Sequence, residues 1–205
     1  MTGTASLPAR YFDAVYAASD DPWTFATSAY EAAKYADSVA ALGERRFSSG
    51  FEIGCSIGVL TRLLAARCEH LLAVDVSESA LERARARCAD LTHVAFEAMQ
   101  VPAAFAAGPF DLVVMSEVGY YWSREDLDLA LVRAEQSLAT GGLLLLVHWT
   151  PAVHDYPLRG DDVHEAALAR ARAAGRIRLL RGWRRGRYRL DVFERAAAPA
   201  AHAAR

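Results

Sequence analysis

The residues with the clearest chemical potential lie in residues 51–60, where Gly54 and Gly58 are four positions apart and Glu52 precedes them. Apolar residues come before this turn and an amphipathic run follows it, so the pattern predicts a strand, a tight turn and a helix. A glycine permits positive φ and close approach of a ligand, and the start of a helix offers unpaired N–H groups. The stretch therefore predicts a site for a nucleotide-like ligand, although the glycines alone would also fit an ordinary strand-to-helix turn.

A carboxylate at a second strand end strengthens this prediction. Residues 71–75 form an apolar run that ends in Asp75, 17 residues after Gly58. An acid at the tip of the second strand of a βαβ unit can accept hydrogen bonds from both hydroxyl groups of a ribose. The dinucleotide fingerprint Gly-x-Gly-x-x-Gly is absent, because Ser56 lies between two glycines that are four residues apart. The two features together indicate a ribose-bearing ligand.

The third predicted strand is followed by Met99 and Gln100. The amide of Gln100 could bond to an adenine edge and the thioether of Met99 could pack on the ring. An exposed loop amide and a core thioether are the alternatives for these two residues.

Aromatic residues are concentrated before the glycine turn. Seven of them occur between residues 11 and 35, well above the 10% average of the chain. The spacing predicts two helices, and Tyr30 and Lys34 share one face of the second because they are four residues apart. This segment is either a lid whose aromatic faces cover a cationic or flat ligand, or a simple packing of two helices on the domain.

The elements that must position these residues alternate between strand and helix. Five such units, followed by an antiparallel hairpin, predict an α/β fold with a doubly wound, mostly parallel sheet and ligands at the carboxyl ends of its strands. The predicted strands are residues 51–53, 71–75, 93–96, 110–117, 143–147, 177–181 and 188–193, with a polar connector at 44–50 and a hairpin turn at 182–187. The predicted helices are residues 28–42, 59–67, a helix after Ser77, 125–138 and 161–174. The predicted N-terminal caps are Ser79 with Glu82, or alternatively Ser77, for the helix after Ser77, Ser123 with Asp126 for 125–138, and Asp161 or Asp162 for 161–174. The predicted helix ends are Gly43, Gly141-Gly142 and Gly175.

Composition limits the class of protein. The chain has 205 residues, 53% of them hydrophobic, and a net charge of −2, which disfavours nucleic-acid binding through bulk charge. Three cysteines without a Cys-x-x-Cys pair fit neither a disulfide framework nor a zinc site, so no metal is predicted. Neither a membrane span nor a signal peptide is visible, and we expect a cytoplasmic protein with a small-molecule partner. One domain is predicted over residues 11–195, with 11–43 as the helical lid and loosely ordered tails at 1–10 and 196–205.

Motifs along nearly the whole chain resemble a known family. The strand count, Glu52-x-Gly54-x-x-x-Gly58 and the later Asp75 resemble the class I methyltransferases that use S-adenosylmethionine, and further motifs resemble the nodulation protein S family of N-methyltransferases. Those motifs are Tyr11-Phe12-Asp13, Asp21-Pro22-Trp23-x-Phe25-x-Thr27-Ser28-x-Tyr30-Glu31-x-x-Lys34-Tyr35, Val74-Asp75-Val76-Ser77, Ser116-Glu117-Val118-x-Tyr120-Tyr121 and His148-Trp149.

The resemblance implies a Rossmann-like fold, S-adenosylmethionine as cofactor with S-adenosylhomocysteine as product, and an amine acceptor such as an amino sugar or a chitooligosaccharide. One departure is that Met99-Gln100 stands where the superfamily often has an aspartate for the adenine amino group. The predicted cofactor contacts are Trp23, Tyr30, Glu52, Gly54, Cys55, Ser56, Gly58, Asp75, Val76, Met99, Gln100 and Ser116, and the predicted substrate contacts are Tyr120, Tyr121 and Trp149.

Methyl transfer from a sulfonium is an in-line displacement, so alignment of the reactants contributes most, roughly 7–11 kcal/mol at best. An amine must be neutral to react, and Glu117 and His148, at neighbouring strand tips, are the candidate general bases. Histidine has the better unperturbed pKa near neutral pH. The alternatives are a structural role for His148 and a carboxylate of Glu117 that orients the substrate or caps a turn.

Three other functions stay open at this point. A nicotinamide-dependent oxidoreductase would share the first βαβ unit, but the glycine spacing and the final hairpin disfavour it. A metal-dependent O-methyltransferase would need several carboxylates near the fourth and fifth strand tips, where only Glu117 is obvious. The third alternative is a cofactor-binding protein without catalysis.

Overall fold

The computed structural model describes residues 5–197. Seven strands form one sheet in the order β3-β2-β1-β4-β5-β7-β6. The first five pair in parallel, and β7 pairs antiparallel with both β5 and β6. This arrangement confirms the predicted α/β fold. The strands are β1 (Phe47–Ile53), β2 (Cys68–Asp75), β3 (Val94–Ala98), β4 (Phe110–Ser116), β5 (Leu138–Trp149), β6 (Ile177–Arg185) and β7 (Tyr188–Arg195).

Helices cover both faces of the sheet. Val113 and Met115 of β4 pack in the cluster that contains residues of α5 and α6, whereas Leu112 and Val114 pack toward α2 and α3. This alternation follows from the two-residue period of a strand. The helices are α1 (Ala9–Ala18), α2 (Ala29–Ala40), α3 (Val59–Ala65), α4 (Glu78–Arg87), α5 (Arg124–Ser137) and α6 (Gly160–Ala174), with a 3₁₀ turn at Gly119–Tyr121.

The positions of β5 and β6 in the sheet account for their apolar and charged residues. The apolar run 143–147 of β5 is buried throughout, as expected for a strand covered on both faces. By contrast, β6 lies at the edge of the sheet, where its arginines are exposed to solvent. Charged side chains on an edge strand oppose pairing with another chain.

The glycine pair Gly141-Gly142 does not end α5 as predicted. The helix ends at Ser137 and β5 begins at Leu138, so both glycines lie inside the strand. A Cβ on Gly142 would lie 2.8 Å from the carbonyl oxygen of Ala139. The β4–β5 register also shifts between Phe110 and Leu112. The glycines therefore permit an irregular strand pairing.

Two further predicted boundaries were wrong. β1 begins at Phe47, inside the predicted polar connector, because Asp111 accepts hydrogen bonds from the N–H groups of Ser48 and Ser49 at 3.0 and 3.3 Å. The hairpin turn is shorter than predicted, since β6 continues to Arg185. In both cases polar residues extend a strand that the apolar pattern alone would end earlier.

Helix caps agree with prediction in part. The Ser123 hydroxyl accepts the N–H of Asp126 at 3.1 Å, as predicted for α5, and Gly175 follows α6. Ser77 is the N-cap of α4 but makes no side-chain cap bond, and the predicted Ser79–Glu82 box lies within the helix. For α6 the N-cap is Arg159 rather than an aspartate, and Asp162 accepts the Arg159 N–H at 2.8 Å.

The N-terminal residues are held more closely than predicted. Of the two predicted tails, residues 1–4 and 198–205 lie outside the described part of the chain. Leu7 donates its N–H to the Tyr121 carbonyl at 2.8 Å, and the Ser6 hydroxyl accepts the Ser123 N–H at 2.7 Å. Residues 5–8 therefore pack against the loop after β4. Between residues 5 and 197, no helix has the length and apolar character needed to cross a membrane.

Candidate functional site

A cavity opens at the carboxyl ends of β1, β2 and β4, with about 1050 Å³ of empty space that continues into solvent. Open α/β sheets bind ligands in this place, where strand order reverses. The predicted site residues that line it are Trp23, Glu52, Gly54, Cys55, Ser56, Asp75, Val76, Met99, Gln100, Ser116, Glu117 and Tyr121. Those that do not line it are Tyr30, Gly58, Tyr120, His148 and Trp149.

The two glycines of the first turn have different roles. Both have positive φ, +77° for Gly54 and +79° for Gly58, so a side chain would be strained at either position. Gly54 lines the cavity, whereas a Cβ on Gly58 would lie 3.0 Å from the Cα of Ala84 in α4. Gly58 therefore permits close packing of two helices and does not itself line the cavity.

Asp75 fixes the shape of this turn. Its carboxylate accepts the N–H of Ser56 at 2.9 Å and the N–H of Ser77 at 3.0 Å. Tyr16 of α1 adds a bond from its hydroxyl to the Ser56 side chain at 2.6 Å. Burial raises the pKa of Asp75, and the backbone N–H donors oppose that rise. Each carboxylate oxygen retains a lone pair with which a ligand in the cavity can bond.

Two buried polar groups of the cavity wall lack a hydrogen-bond partner among the described residues. They are Oε2 of Glu52, which is 2% exposed, and the hydroxyl of Ser116, which is 9% exposed. Burial raises the pKa of Glu52 to about 8; the neighbouring Thr61 side chain opposes that rise and the charge of Asp75 adds to it. Buried polar groups are rarely left unpaired, so both indicate a ligand that carries polar groups of its own.

Glu117 follows β4 with a left-handed backbone, φ +57°. Its carboxylate accepts hydrogen bonds from Lys34 Nζ at 2.7 Å, from the Tyr120 hydroxyl at 2.5 Å and from the Trp149 backbone N–H at 3.0 Å. These three donors hold the carboxylate at the cavity wall in one orientation. Oε1 accepts only the Lys34 bond of these three, so it keeps one lone pair unused by them.

Sequence reasoning missed the partners of Glu117. Lys34 is 1% exposed, and Glu31 lies 2.7 Å from the same ammonium. The three-residue spacing of Glu31 and Lys34 was a local indication of an ion pair. The contact from Lys34 to Glu117 joins residues 83 positions apart, for which the sequence holds no indication.

His148 is placed differently from the predicted general base. Its ring is fully buried, and Nε2 accepts the Gly119 N–H at 3.2 Å. Nδ1 lies 3.2 Å from Nε2 of His164, whose Nδ1 lies 2.7 Å from Asp191. Because Gly119 can only donate and Asp191 accepts, both histidines carry their proton on Nδ1. Both ring nitrogens of His148 are thus engaged, and its ring supports the 3₁₀ turn and does not line the cavity.

This arrangement predicts an acid-sensitive fold. Burial lowers the pKa of His148 well below the usual range and lowers that of His164. The unfolded chain therefore binds protons first as pH falls, so the stability contributed by the neutral pair is present above about pH 6.5 and lost below it, by up to about 1.4 kcal/mol per pH unit for each histidine.

Denaturant unfolding at about pH 7.5 and pH 5.5 should show this loss, and His148→Gln should have a smaller difference between the two pH values. An unchanged difference in the variant would remove His148 from this role.

The predicted substrate residues divide between two places. Tyr121 lines the main cavity, while Tyr120 and Trp149 lie outside it, beside Tyr156. Tyr120 stacks on Tyr156 with ring centroids 5.1 Å apart. Glu117, which lines the cavity, bonds to both Tyr120 and Trp149.

Comparisons with known proteins point to one family. The family model for nodulation protein S (NodS) matches residues 14–148. Nodulation protein S of Bradyrhizobium diazoefficiens is 37% identical over 105 residues, which cover 51% of this chain and 50% of that protein. Nodulation protein S of Rhizobium tropici is 30% identical over 130 residues, covering 62% and 55%. The chain thus spans about half the length of the curated relatives it matches.

A solved structure extends the fold comparison. The N-methyltransferase NodS from Bradyrhizobium japonicum WM9, in complex with S-adenosyl-L-homocysteine, is 24% identical and has a TM-score of 0.81. The superposition covers 91% of this chain and 97% of that one, which shows a shared fold. By the match of the family model over residues 14–148, the chain belongs to the nodulation protein S (NodS) family.

Proposed function

We propose that this protein is a methyltransferase that uses S-adenosylmethionine and methylates a nitrogen atom of a small-molecule acceptor. The observation that carries the proposal is the cavity, which joins the glycine turn, the Asp75 carboxylate and two unpartnered polar groups at the carboxyl edge of the sheet. Membership of the nodulation protein S family supports the same reaction, since the related Bradyrhizobium japonicum structure is an N-methyltransferase with S-adenosyl-L-homocysteine.

The residues of the cavity fit this cofactor. Asp75 would accept hydrogen bonds from the ribose hydroxyl groups, and Met99 and Gln100 would contact the adenine ring. Glu52 would accept a hydrogen bond from the amino group of the methionine part. The Met99 N–H donates to the Asp75 carbonyl at 2.9 Å, so the ribose and adenine contacts are joined by one backbone bond. When bound, the cofactor supplies a methyl group on a sulfonium. The chain itself orients both reactants and excludes water from them.

Glu117 is the group placed to orient the acceptor. It lines the cavity and is held by three donors, so a lone pair can accept a hydrogen bond from an acceptor N–H without movement of the side chain. The aromatic ring of Tyr121 in the cavity can pack against a flat or sugar-like face. An amino sugar or a short oligosaccharide with a free amine fits this combination of acid and aromatic surfaces.

Calorimetry with S-adenosylhomocysteine and transfer of a labelled methyl group test the proposal. We expect binding of the cofactor product and labelling of amines or amino sugars in a panel that pairs each amine with the matching alcohol. Labelling of the alcohols alone would favour an O-methyltransferase. Binding of a nicotinamide dinucleotide in place of S-adenosylhomocysteine would contradict the proposal.

A further inference from the structure

The ammonium of Lys34 is surrounded as a bound cation would be. Glu31 and Glu117 each lie 2.7 Å from its nitrogen. The rings of Tyr30 and Tyr35 lie below the same nitrogen, with centroids 5.8 and 5.6 Å away. Carboxylates together with aromatic faces are the groups that recognise ammonium ions. The Lys34 ammonium therefore occupies a site with the composition of a cation-binding site, next to Glu117 of the cavity wall.

The formal charge of this cluster is not balanced. Two carboxylates share one ammonium, which leaves −1 (two negative charges and one positive charge). The Tyr120 hydroxyl and the Trp149 N–H are neutral donors and leave the charge unchanged. Burial raises the pKa of Glu31, and the charge of Lys34 opposes that rise. An unbalanced buried charge is costly unless a further partner approaches it.

The unbalanced charge faces the cavity. Glu117 lines the cavity whereas Lys34 and Glu31 do not, so a ligand meets the cluster through Glu117. The neighbouring Ser116 hydroxyl, 9% exposed and also in the cavity wall, has no hydrogen-bond partner among residues 5–197. Ser116 and Glu117 are consecutive residues and both line the cavity. Both groups accept hydrogen bonds, as an ammonium ion requires.

We propose that Glu31 and Lys34 are specificity-determining residues that set the acceptor pocket at a charge of −1 and thereby select an acceptor that arrives as an ammonium ion. The inference rests on the proposed function and adds to it a role for Glu31 and for the charge of Lys34. Lys34 is a positioning residue, because it holds Glu117 and does not touch the acceptor. Glu31 acts through the charge it adds, since Lys34 and Glu117 alone would neutralise each other.

A charge role and a structural role predict opposite results for a double variant. Glu31→Gln removes one negative charge and brings the cluster to zero. Glu31→Gln combined with Lys34→Met leaves Glu117 alone and restores −1. If the residues only support α2, the double variant is worse than the single one. If charge selects the ligand, the double variant recovers cation binding. Arg187, which lies over the Trp149 ring at 5.6 Å, is the same in every variant.

The experiment is a ligand-observed NMR titration of the full chain with saturating S-adenosylhomocysteine. The probes are glucosamine and glucose, which differ only in the amine, at about pH 6.5, where an amino group of this kind is protonated. Wild type should bind glucosamine more tightly than glucose, and Glu31→Gln should weaken glucosamine binding about tenfold with little effect on glucose. The double variant should return glucosamine binding to within about threefold of wild type.

A matched control is Glu69→Gln. Glu69 is exposed and lies at the start of β2, so it is at the amino ends of the strands, opposite the cavity. It changes the net charge equally and should leave both sugars unaffected. Equal binding of the two sugars by wild type, or a double variant weaker than Glu31→Gln, overturns the inference. Calorimetry of S-adenosylhomocysteine with wild type and each variant distinguishes failure of this inference from failure of the proposed function. If the proposed function is wrong, wild type itself does not bind S-adenosylhomocysteine.

Discussion

Asp75→Ala is expected to weaken S-adenosylhomocysteine binding by about 10- to 150-fold, the loss of a charged hydrogen bond worth roughly 1.5–3 kcal/mol. The carboxylate is the ribose acceptor of the proposed site. It also holds the glycine turn through the N–H groups of Ser56 and Ser77, which the substitution leaves unpaired. Calorimetry at fixed ionic strength measures the affinity, and thermal unfolding measures the accompanying loss of stability. An unchanged affinity would remove Asp75 from the site.

Asp111→Ala is the matched control for this experiment. Asp111 also accepts two backbone N–H groups, those of Ser48 and Ser49, but it lies at the opposite end of β1 and β4. The control should therefore lower stability and leave cofactor affinity unchanged. If both variants lost affinity to the same extent, the effect would come from general destabilisation and not from a ribose contact.

Glu52→Gln is expected to stabilise the free protein by about 2–3 kcal/mol near pH 7 and to weaken the cofactor complex. The folded pKa of about 8 lies above the ordinary value of 4.5, so the unfolded chain releases the proton first as pH rises. The contribution of Glu52 to stability is thus present below about pH 4.5 and lost as pH rises toward 8, by about 1.4 kcal/mol per unit. The uncharged amide removes that loss.

The measurement is the difference in unfolding free energy between variant and wild type from about pH 5 to pH 8. Taking the difference is necessary because the buried histidines change stability in the opposite direction below about pH 6.5. The difference should grow with pH. A difference that is constant with pH would show that Glu52 is ionised in the folded protein, and an unchanged cofactor affinity would show that it does not contact the cofactor.

Local patterns made the glycine turn and the parallel sheet predictable. The strand, turn and helix around Gly54, and the strand that ends in Asp75, are each contained in a short segment whose hydrophobic period is readable. The parallel sheet follows from the alternation of such segments. Gly58 shows the limit of this reasoning. Its spacing from Gly54 indicated a ligand contact, but only the position of α4 reveals that the missing side chain makes room for a helix.

The structure around Glu117 and His148 is formed by contacts between segments that are distant in sequence. Lys34 reaches Glu117 across 83 positions, and His148 meets His164 and Asp191 from two later elements. The sequence placed His148 correctly at the tip of a strand, yet it could not reveal which way the ring points. Ring direction depends on the bond from Gly119 and on the packing of Tyr120 against the same ring. Such orientation is a tertiary property with no local pattern.

His148, His164 and Asp191 connect the region that matches the family model with the C-terminal part of the chain. The family match ends at residue 148, whereas His164 and Asp191 lie beyond it, in α6 and β7. These later residues nonetheless hold the 3₁₀ turn that follows Glu117, through His148. Substitutions in the C-terminal third can therefore shift the turn after Glu117 while the glycine turn and Asp75 stay as they are. Under the proposed function, such substitutions would change the acceptor without changing how the methyl donor is held.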